Sequence, residues 1–149
     1  MARVLGPNPG FDPAHQFGAR EARDNLKLLL DRAEGGAVAV VRRNAPVVVA
    51  SRDVFDAALA PQAPFNVNVS VTTTQVSMWI DGLPTHAVGS TLDEAEDEFL
   101  DALVEYAEDW LEELRFAPNH KQHAGLVQRI LMYAEEREEF RRVVFDDAE

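Results

Sequence analysis

The chain contains no cysteine, so disulfide bonds and thiolate metal sites are excluded. It has no apolar run near the roughly 18 residues that a membrane helix requires. Its first residues, MARVLGPNPG, lack the apolar segment of a secretory signal. These absences predict a cytoplasmic protein that has no contact with a membrane. The composition, 46% hydrophobic and 27% charged, is typical of a folded chain and not of a disordered one.

Charge is distributed unevenly along the 149 residues, whose net charge is −12. Residues 1–60 carry eight Lys and Arg against seven Asp and Glu, a net +1, whereas residues 61–149 carry six against nineteen, a net −13. The stretch APQAPF at 60–65 is typical of a linker. We therefore predict two modules, residues 1–60 and 61–149. The first could approach an anionic polymer, and the second would suit a basic protein surface.

Apolar spacing predicts a helix and a hairpin in the first module, after an irregular arm over the proline-containing residues 1–16. From residue 19 to 34, apolar side chains recur at intervals of three and four, as on one face of a helix that Gly35-Gly36 would end. The positions on that face are Ala22, Leu26, Leu29 and Ala33. Two β-branched runs, 37–41 and 47–50, flank a short turn and predict a β-hairpin, which a short helix over 53–59 follows.

The pattern changes in the second module. Residues 67–71 and 76–80 alternate apolar with polar side chains, which predicts two half-buried strands, and 85–89 is a candidate third strand. Thr91 followed by Glu94 fits a capping box at the start of a long helix. The second module is therefore expected to be a small sheet followed by helices.

The stretch EARDNLKLLLDRAEGGAVAVVRRNAPVVVASRDVF, within residues 17–59, resembles the prevent-host-death (Phd/YefM) family of antitoxins. That family has a helix that begins Ser-x-x-Glu-Ala-Arg, continues through NL and LLDR to a glycine, and leads to a hairpin with an Arg-Arg turn. Gly18 stands where the family often has a serine cap. The resemblance implies a dimer whose N-terminal halves bind operator DNA and whose C-terminal segments bind and silence a toxin.

Arginines stand where such a module would meet DNA. By resemblance, Arg23 and Arg42 align with family positions that touch DNA. A guanidinium group presents five donors in a planar fork that matches a phosphate or a guanine edge. If the helix start and the hairpin turn lie side by side, they form one cationic patch, although solvated surface charges are the alternative. The candidate DNA-binding residues are Arg20, Arg23, Arg42, Arg43 and Asn44.

The second module resembles the HicB-like antitoxin domain, a truncated ribonuclease-H-like fold. DGLP at 81–84 and GSTLDEA at 89–95 carry the resemblance, with an alternating strand before them and a long helix after them. It implies a domain without catalysis, and residues 65–80 contain no Asp or Glu for a two-metal nuclease site. The fold class expected for the chain is thus α+β: a Phd/YefM-like helix–hairpin module plus a small HicB-like sheet with a long helix and a C-terminal helix.

Acidic side chains crowd the helix predicted over about 92–114. At the helix start they compensate the dipole, but at its end they oppose it. A docking surface for a basic toxin and a solvated face both explain this crowding. A last helix, predicted over about 122–140 after the break APNH at 117–120, has apolar residues that could contact the toxin or pack on their own chain. The candidate toxin-binding residues are Glu105, Asp109, Trp110, Leu126, Ile130 and Tyr133.

Signatures of catalysis and of metal binding are weak. His120 and His123 are spaced as two imidazoles on one metal, but no cysteine or nearby carboxylate completes the set. There is no recognisable nucleophile–base pair, Gly-rich phosphate loop or pair of carboxylates in a cleft. We therefore predict no catalytic residue, no enzymatic activity, no metal and no cofactor.

Together these patterns predict a cytoplasmic, homodimeric antitoxin of a type II toxin–antitoxin pair. It would neutralise a cognate basic toxin and repress its own operon at operator DNA. Three alternatives stay open: a stand-alone transcriptional regulator with a ligand-sensing or oligomerisation domain, a carboxylate-dependent nuclease, and an adaptor that has lost DNA binding. A neighbouring reading frame for a small basic protein would favour the antitoxin, and metal-dependent turnover would favour the nuclease.

Overall fold

Residues 16–146 are described by a computed structural model, and within this range the fold is mixed α and β, with two three-stranded sheets and six α-helices. The expected α+β class is confirmed. The chain divides between Phe55 and Asp56 into two units, called here the N unit and the C unit. The predicted arm lies outside the described residues except for Gln16. The assignment of separate functions to residues 1–60 and 61–149 stays a prediction.

The N unit contains a sheet in the order β1-β2-β3, in which β1 is parallel to β2 and β2 is antiparallel to β3. Its elements are β1 (Gln16–Gly18), α1 (Ala19–Asp24), α2 (Leu26–Glu34), β2 (Ala39–Arg42) and β3 (Pro46–Val49). A further helix, α3 (Arg52–Leu59), contains the point of division. The predicted hairpin is confirmed, because β2 and β3 pair up to Arg42 and Pro46 and leave residues 43–45 in the turn.

The helix predicted over residues 19–34 is broken at Asn25, so that two shorter helices replace it. Asn25 has φ −118°, outside the helical range. Its side-chain Nδ2 donates to the carbonyl of Glu21 at 3.0 Å, beside its own backbone N–H at 2.9 Å. An asparagine side chain competes with the backbone for hydrogen bonds, and a break in the helix is the consequence.

The core of the N unit is small. Three of the four residues predicted on its helix face are buried, but Leu26 is 54% exposed, because the break at Asn25 redirects that face. The buried apolar residues are Phe17, Ala22, Leu29, Ala33 and Ala39. The large apolar side chains that stay exposed are Leu26, Leu28, Leu30, Val38, Val47, Val48, Val54 and Phe55. A core this small is marginal for an isolated unit.

The C unit contains an antiparallel sheet in the order β4-β5-β6 and three helices after it. The elements are β4 (Val67–Val71), β5 (Val76–Ile80), β6 (His86–Gly89), α4 (Leu92–Glu112), α5 (Ala124–Tyr133) and α6 (Arg137–Phe145). Short 3₁₀ turns at Leu114–Phe116 and Lys121–His123 connect α4 to α5. The three predicted strands and the long helix are confirmed. Among residues 16–146, none of the helices has the length and apolar character to span a membrane.

The C-unit core lies between the sheet and the helices. β5 alternates, with Val76, Met78 and Ile80 buried and its other residues only half-buried. Because α4 repeats apolar side chains every three or four residues, it turns one continuous apolar face to the sheet. The buried residues of α4 are Ala95, Phe99, Leu100, Leu103, Tyr106, Ala107 and Trp110. Those of α5 and α6 that complete the core are Leu126, Val127, Ile130, Tyr133, Phe140, Val143 and Val144.

The last helix, predicted as one element over 122–140, consists instead of α5 and α6, which residues 134–136 separate. Glu136 has φ −119° and ψ 80°, which are not helical values. Its carbonyl accepts from the N–H of Phe140 at 2.8 Å, so a new helix begins there. Acidic residues in the first turn of α6 favour this start, because they compensate the dipole of the new helix.

The junction between β6 and α4 fixes the start of the long helix. A Cβ added at Gly89 would lie 2.4 Å from the backbone nitrogen of Ala95, so only glycine fits there. Thr91 Oγ1 accepts from the N–H of Glu94 at 3.2 Å, as the predicted capping box requires. The carboxylate of Glu94 turns back and accepts from the N–H of Ser90 at 2.7 Å.

A buried ion pair ties Asp56 to α5. Arg129, 2% exposed, donates from Nε to Asp56 Oδ1 at 2.6 Å and from Nη2 to Oδ2 at 3.3 Å. Its Nη1 donates to the carbonyl of Ala63 at 3.0 Å, and its guanidinium lies 4.7 Å from the ring centre of Phe65. The hydroxyl of Tyr133 also donates to Asp56, at 3.0 Å. This pair was not predicted, since 73 positions separate Asp56 from Arg129.

Candidate functional site

The candidate DNA-binding residues all lie exposed on the N unit. Two are in α1 (Arg20 and Arg23), one ends β2 (Arg42), and two are in the hairpin turn (Arg43 and Asn44). The parallel register of β1 and β2 sets Gly18, the residue before α1, opposite Arg42. The start of α1 and the end of β2 are therefore neighbours. We call these five side chains the arginine patch.

Existing contacts of the arginine patch leave it open to an anion. Arg42 donates from Nε to Gln16 Oε1 at 2.7 Å. Arg23 donates to the adjacent Asp24 at 3.3 Å, and the two side chains are 76% and 57% exposed. An exposed ion pair contributes only about 0–1 kcal/mol, so a phosphate group could displace Asp24 at little cost. Contact with DNA itself stays a prediction.

Two arginines of α6 pair with three carboxylates in the first half of the acidic helix α4. Arg137 donates to Asp101 at 2.7 Å and to the Asp97 side chain at 3.2 Å. Arg141 pairs with Glu96 and Asp97. The sequence pattern missed these partners because α6 follows α4 only after a long connection.

Beyond Asp101, the carboxylates of α4 and its C-terminal cap have no basic partner among residues 16–146. We call this group, which is exposed throughout, the acidic end of α4: Glu105, Glu108, Asp109, Glu112 and Glu113. Asp109, Glu112 and Glu113 line a shallow cavity of about 230 Å³ together with Leu114. The helix dipole is also negative at this end. The acidic end therefore favours a cationic partner on both counts.

The four apolar candidates for toxin contact lie in the core of the C unit. They are Trp110, Leu126, Ile130 and Tyr133, none more than 8% exposed. Trp110 Nε1 donates to the carbonyl of His120 at 2.9 Å. These side chains pack within their own chain, which the sequence left as the alternative. Contact with a toxin through them stays a prediction, and it would require them to leave the core.

His120 and His123 both lie within hydrogen-bond distance of the hydroxyl of Tyr106. Tyr106 Oη lies 2.9 Å from His120 Nδ1 and 2.6 Å from His123 Nδ1. Burial, and then the neighbouring His120, lower the pKa of His123. Burial raises the pKa of Tyr106. Within the part of the chain that the structure describes, no three His, Asp or Glu residues are grouped to hold a metal ion.

Comparison with known proteins gives one family and one similar structure. Residues 15–145 match the family model described as PHD_like, antitoxin of toxin-antitoxin, RelE / RelB, TA system. A crystal structure of the antitoxin part of a proposed toxin/antitoxin system from Syntrophomonas wolfei subsp. wolfei matches with a TM-score of 0.62 and 21% identity. The match covers 86% of this chain and 94% of the other, and at this identity it shows a shared fold. No curated protein matches the chain.

Proposed function

The chain belongs to this antitoxin family and is a non-enzymatic antitoxin of a toxin–antitoxin system, and we propose that it acts through two separate surfaces. The N unit, as a Phd/YefM-like module, forms a homodimer and binds operator DNA through the arginine patch. The C unit, as a HicB-like module, binds a cognate basic toxin through the acidic end of α4. The protein thereby neutralises its toxin and represses its own operon in the cytoplasm.

The separation of charge between the units is the observation that carries this proposal. Residues 1–55 hold eight Lys and Arg against six Asp and Glu, whereas residues 56–149 hold six against twenty. A surface as acidic as the C unit repels nucleic acid and attracts a cationic protein. The exposed arginines of the N unit have the opposite preference. Two partners of opposite charge therefore have separate places to bind.

The exposed apolar surface of the N unit supports dimerisation. Val40 and Val48 are opposite each other in the hairpin, and strand alternation sets them on the face away from the buried Ala39. Val48 is 60% exposed, and Val38, the residue before β2, is 45% exposed. Val47, which pairs with Val41, lies on the opposite face of the hairpin. Burying a valine side chain fully contributes about 1.5–3 kcal/mol, so burial of this face against a second copy would stabilise a dimer.

A double substitution tests DNA binding apart from toxin binding. Arg23→Ala with Arg42→Ala should abolish the shift of the chain's own promoter DNA, because each charge-assisted contact is worth roughly 1.5–3 kcal/mol and a dimer loses it twice. The same variant should still rescue growth against the toxin. Lys27→Ala is the matched control: Lys27 is an exposed cation that pairs with Asp31, outside the arginine patch, and its loss should leave the shift in place.

The salt dependence of operator binding gives a second measure. Each neutralised phosphate contributes about −0.9 to the slope of log affinity against log salt, so two arginines per subunit of a dimer predict a slope on the order of −4.

Val48→Lys should lower operator affinity by at least about tenfold by separating the two subunits, whereas Val88→Lys, an equal change in the C unit, should not. A wild-type chain that sediments as a monomer at micromolar concentration would contradict the dimer.

Charge reversal on α4 tests the other surface. Asp109→Lys should abolish growth rescue and leave the promoter shift unchanged, because it places a like charge against a basic toxin. Glu135→Lys is the control, since Glu135 is exposed in the connection between α5 and α6. If the folded Arg23→Ala, Arg42→Ala variant fails to rescue, or Asp109→Lys still rescues, the proposed division of labour is wrong.

A further inference from the structure

The edge strand β4 carries no charge, although the chain is strongly acidic. None of residues 57–80 is charged, whereas 27% of the chain is. Among residues 16–146, no strand pairs with the outer side of β4. Proteins commonly protect a free edge with a lysine, a proline or a bulge, because its open backbone groups can pair with another chain. β4, with the sequence VNVSV, has none of these devices.

Two valines of β4 lie on the core-facing side of the sheet, but beyond the part of the sheet that α4 covers. Val69 and Val71 are opposite Met78 and Val76 of β5, so all four point to the same side. Met78 and Val76 are 1% and 7% exposed, but Val69 and Val71 are 48% and 71% exposed. The difference arises because α4 packs on β5 and β6 and does not reach over β4. An apolar strip continuous with the core is thus open at this edge.

The backbone of β4 offers hydrogen-bonding groups to the same edge. The N–H of Thr72 donates to the carbonyl of Gln75 at 2.9 Å, which makes these two a hydrogen-bonded pair at the turn. Hydrogen-bonded and non-hydrogen-bonded pairs alternate along an antiparallel ladder. Ser70 therefore bonds to β5, and the N–H and C=O groups of Val69 and Val71 point outward.

We propose that this edge pairs with the same edge of a second copy, so that two C units share one six-stranded antiparallel sheet. A two-fold axis at Ser70 sets Val69 opposite Val71 of the second copy, and Val71 opposite its Val69. The outward groups of these valines then form four hydrogen bonds. This register does not need the N–H of Val67, which already donates to the carbonyl of Phe65 at 3.0 Å.

The charge of the chain favours a second copy, rather than a basic protein, as the partner at the β4 edge. Two chains of net charge −12 repel each other over most of their surface. The uncharged β4 edge is a place where they can approach without that penalty, and the two-fold register brings valine against valine. A basic partner, in contrast, is attracted to the acidic end of α4 and gains no charge interaction at β4. The inference depends on the C unit alone, so its failure and that of the N-unit dimer are separable.

The absence of cysteine allows a direct test in the full chain. In the proposed register the two Ser70 residues face each other as a non-hydrogen-bonded pair, with Cβ atoms about 4.5 Å apart, close enough for a disulfide bond. Ser70→Cys should form a covalent dimer when diamide takes up the two thiol hydrogens, as seen by non-reducing electrophoresis. Ser77→Cys is the matched control. Ser77 is opposite Ser70 in the central strand β5 and cannot reach its own copy.

A second substitution separates edge pairing from chance collision. Val71→Pro removes an outward N–H and leaves the bonds between β4 and β5 in place. Added to Ser70→Cys, it should slow cross-linking at least tenfold with unchanged circular dichroism. Cross-linking of Ser70→Cys no faster than that of Ser77→Cys, or unaffected by Val71→Pro, would overturn the proposal. The contrary result is that Ser70→Cys forms no covalent dimer when alone, while the co-purified toxin shields its thiol from reagents. That result would assign the edge to the toxin and would also overturn the proposal.

Discussion

Arg129→Met is the substitution expected to destabilise the C unit most clearly. Methionine keeps an apolar stem of similar length but removes all the donors. The carboxylate of Asp56, whose side chain is 14% exposed, then loses this guanidinium and keeps the hydroxyl of Tyr133, and the carbonyl of Ala63 loses its donor from Arg129. Removing one member of a buried ion pair costs about 3–5 kcal/mol, because the remaining charge stays desolvated. That is a large fraction of a typical folding stability of about 5–15 kcal/mol.

Urea unfolding followed by tryptophan fluorescence measures this loss in the C unit alone, since Trp79 and Trp110, the two tryptophans of the chain, both belong to it. With a slope near 2 kcal/mol per molar, the midpoint should fall by on the order of 2 M. Arg129→Met combined with Asp56→Leu should recover most of the loss, because apolar replacement of both partners is often neutral. A single-variant loss below about 1 kcal/mol, or a double variant that costs the sum of both single losses, would refute the reasoning.

Substitutions at three further positions in the C unit can be followed by the same unfolding assay. Gly89→Ala should cost about 1–3 kcal/mol, because its Cβ would lie 2.4 Å from the backbone nitrogen of Ala95; an unchanged midpoint would show that β6 and α4 can move apart freely. Thr91→Ala should cost about 1 kcal/mol by removing the acceptor for the N–H of Glu94, while Thr91→Ser, which keeps that acceptor, should cost less. His123 has a lowered pKa in the folded chain, so its contribution to stability is complete above the ordinary pKa of about 6.5 and is lost as the pH falls from there towards the folded pKa. His123→Gln should flatten the stability curve in that range, and an equally steep curve would contradict the assignment.

Elements whose own residues decide their structure were predictable from the sequence. The alternation in β5, the valine runs of the N-unit hairpin, and the Thr91–Glu94 start of α4 are short-range patterns, and each lies where it was predicted. The exposed position of the arginines followed from the same patterns, because the hairpin turn and the first turn of a helix both face solvent.

Features that depend on distant segments were not predictable. The break at Asn25 accompanies the bond from its side chain to the carbonyl of Glu21, and apolar spacing does not report that contact. The ion pairs of Glu96, Asp97 and Asp101 need Arg137 and Arg141, which only the packing of α6 brings to α4. The apolar spacing of Leu126, Ile130 and Tyr133 predicted a common helix face correctly, but spacing does not say whether such a face covers its own core or a partner.

The arrangement of charge along α4 has a consequence for the speed of association. Arg137 and Arg141 offset part of the charge in the first half of α4, and the helix dipole is positive at that end. At the far end the dipole adds to the carboxylate charge, so the attraction for a cation is stronger there. A cationic partner that diffuses towards α4 is guided to its far end before any contact forms. Since screening by salt acts over about 8 Å at physiological ionic strength, the association rate should fall as salt rises. The dissociation rate, which depends on packed contacts, should change much less.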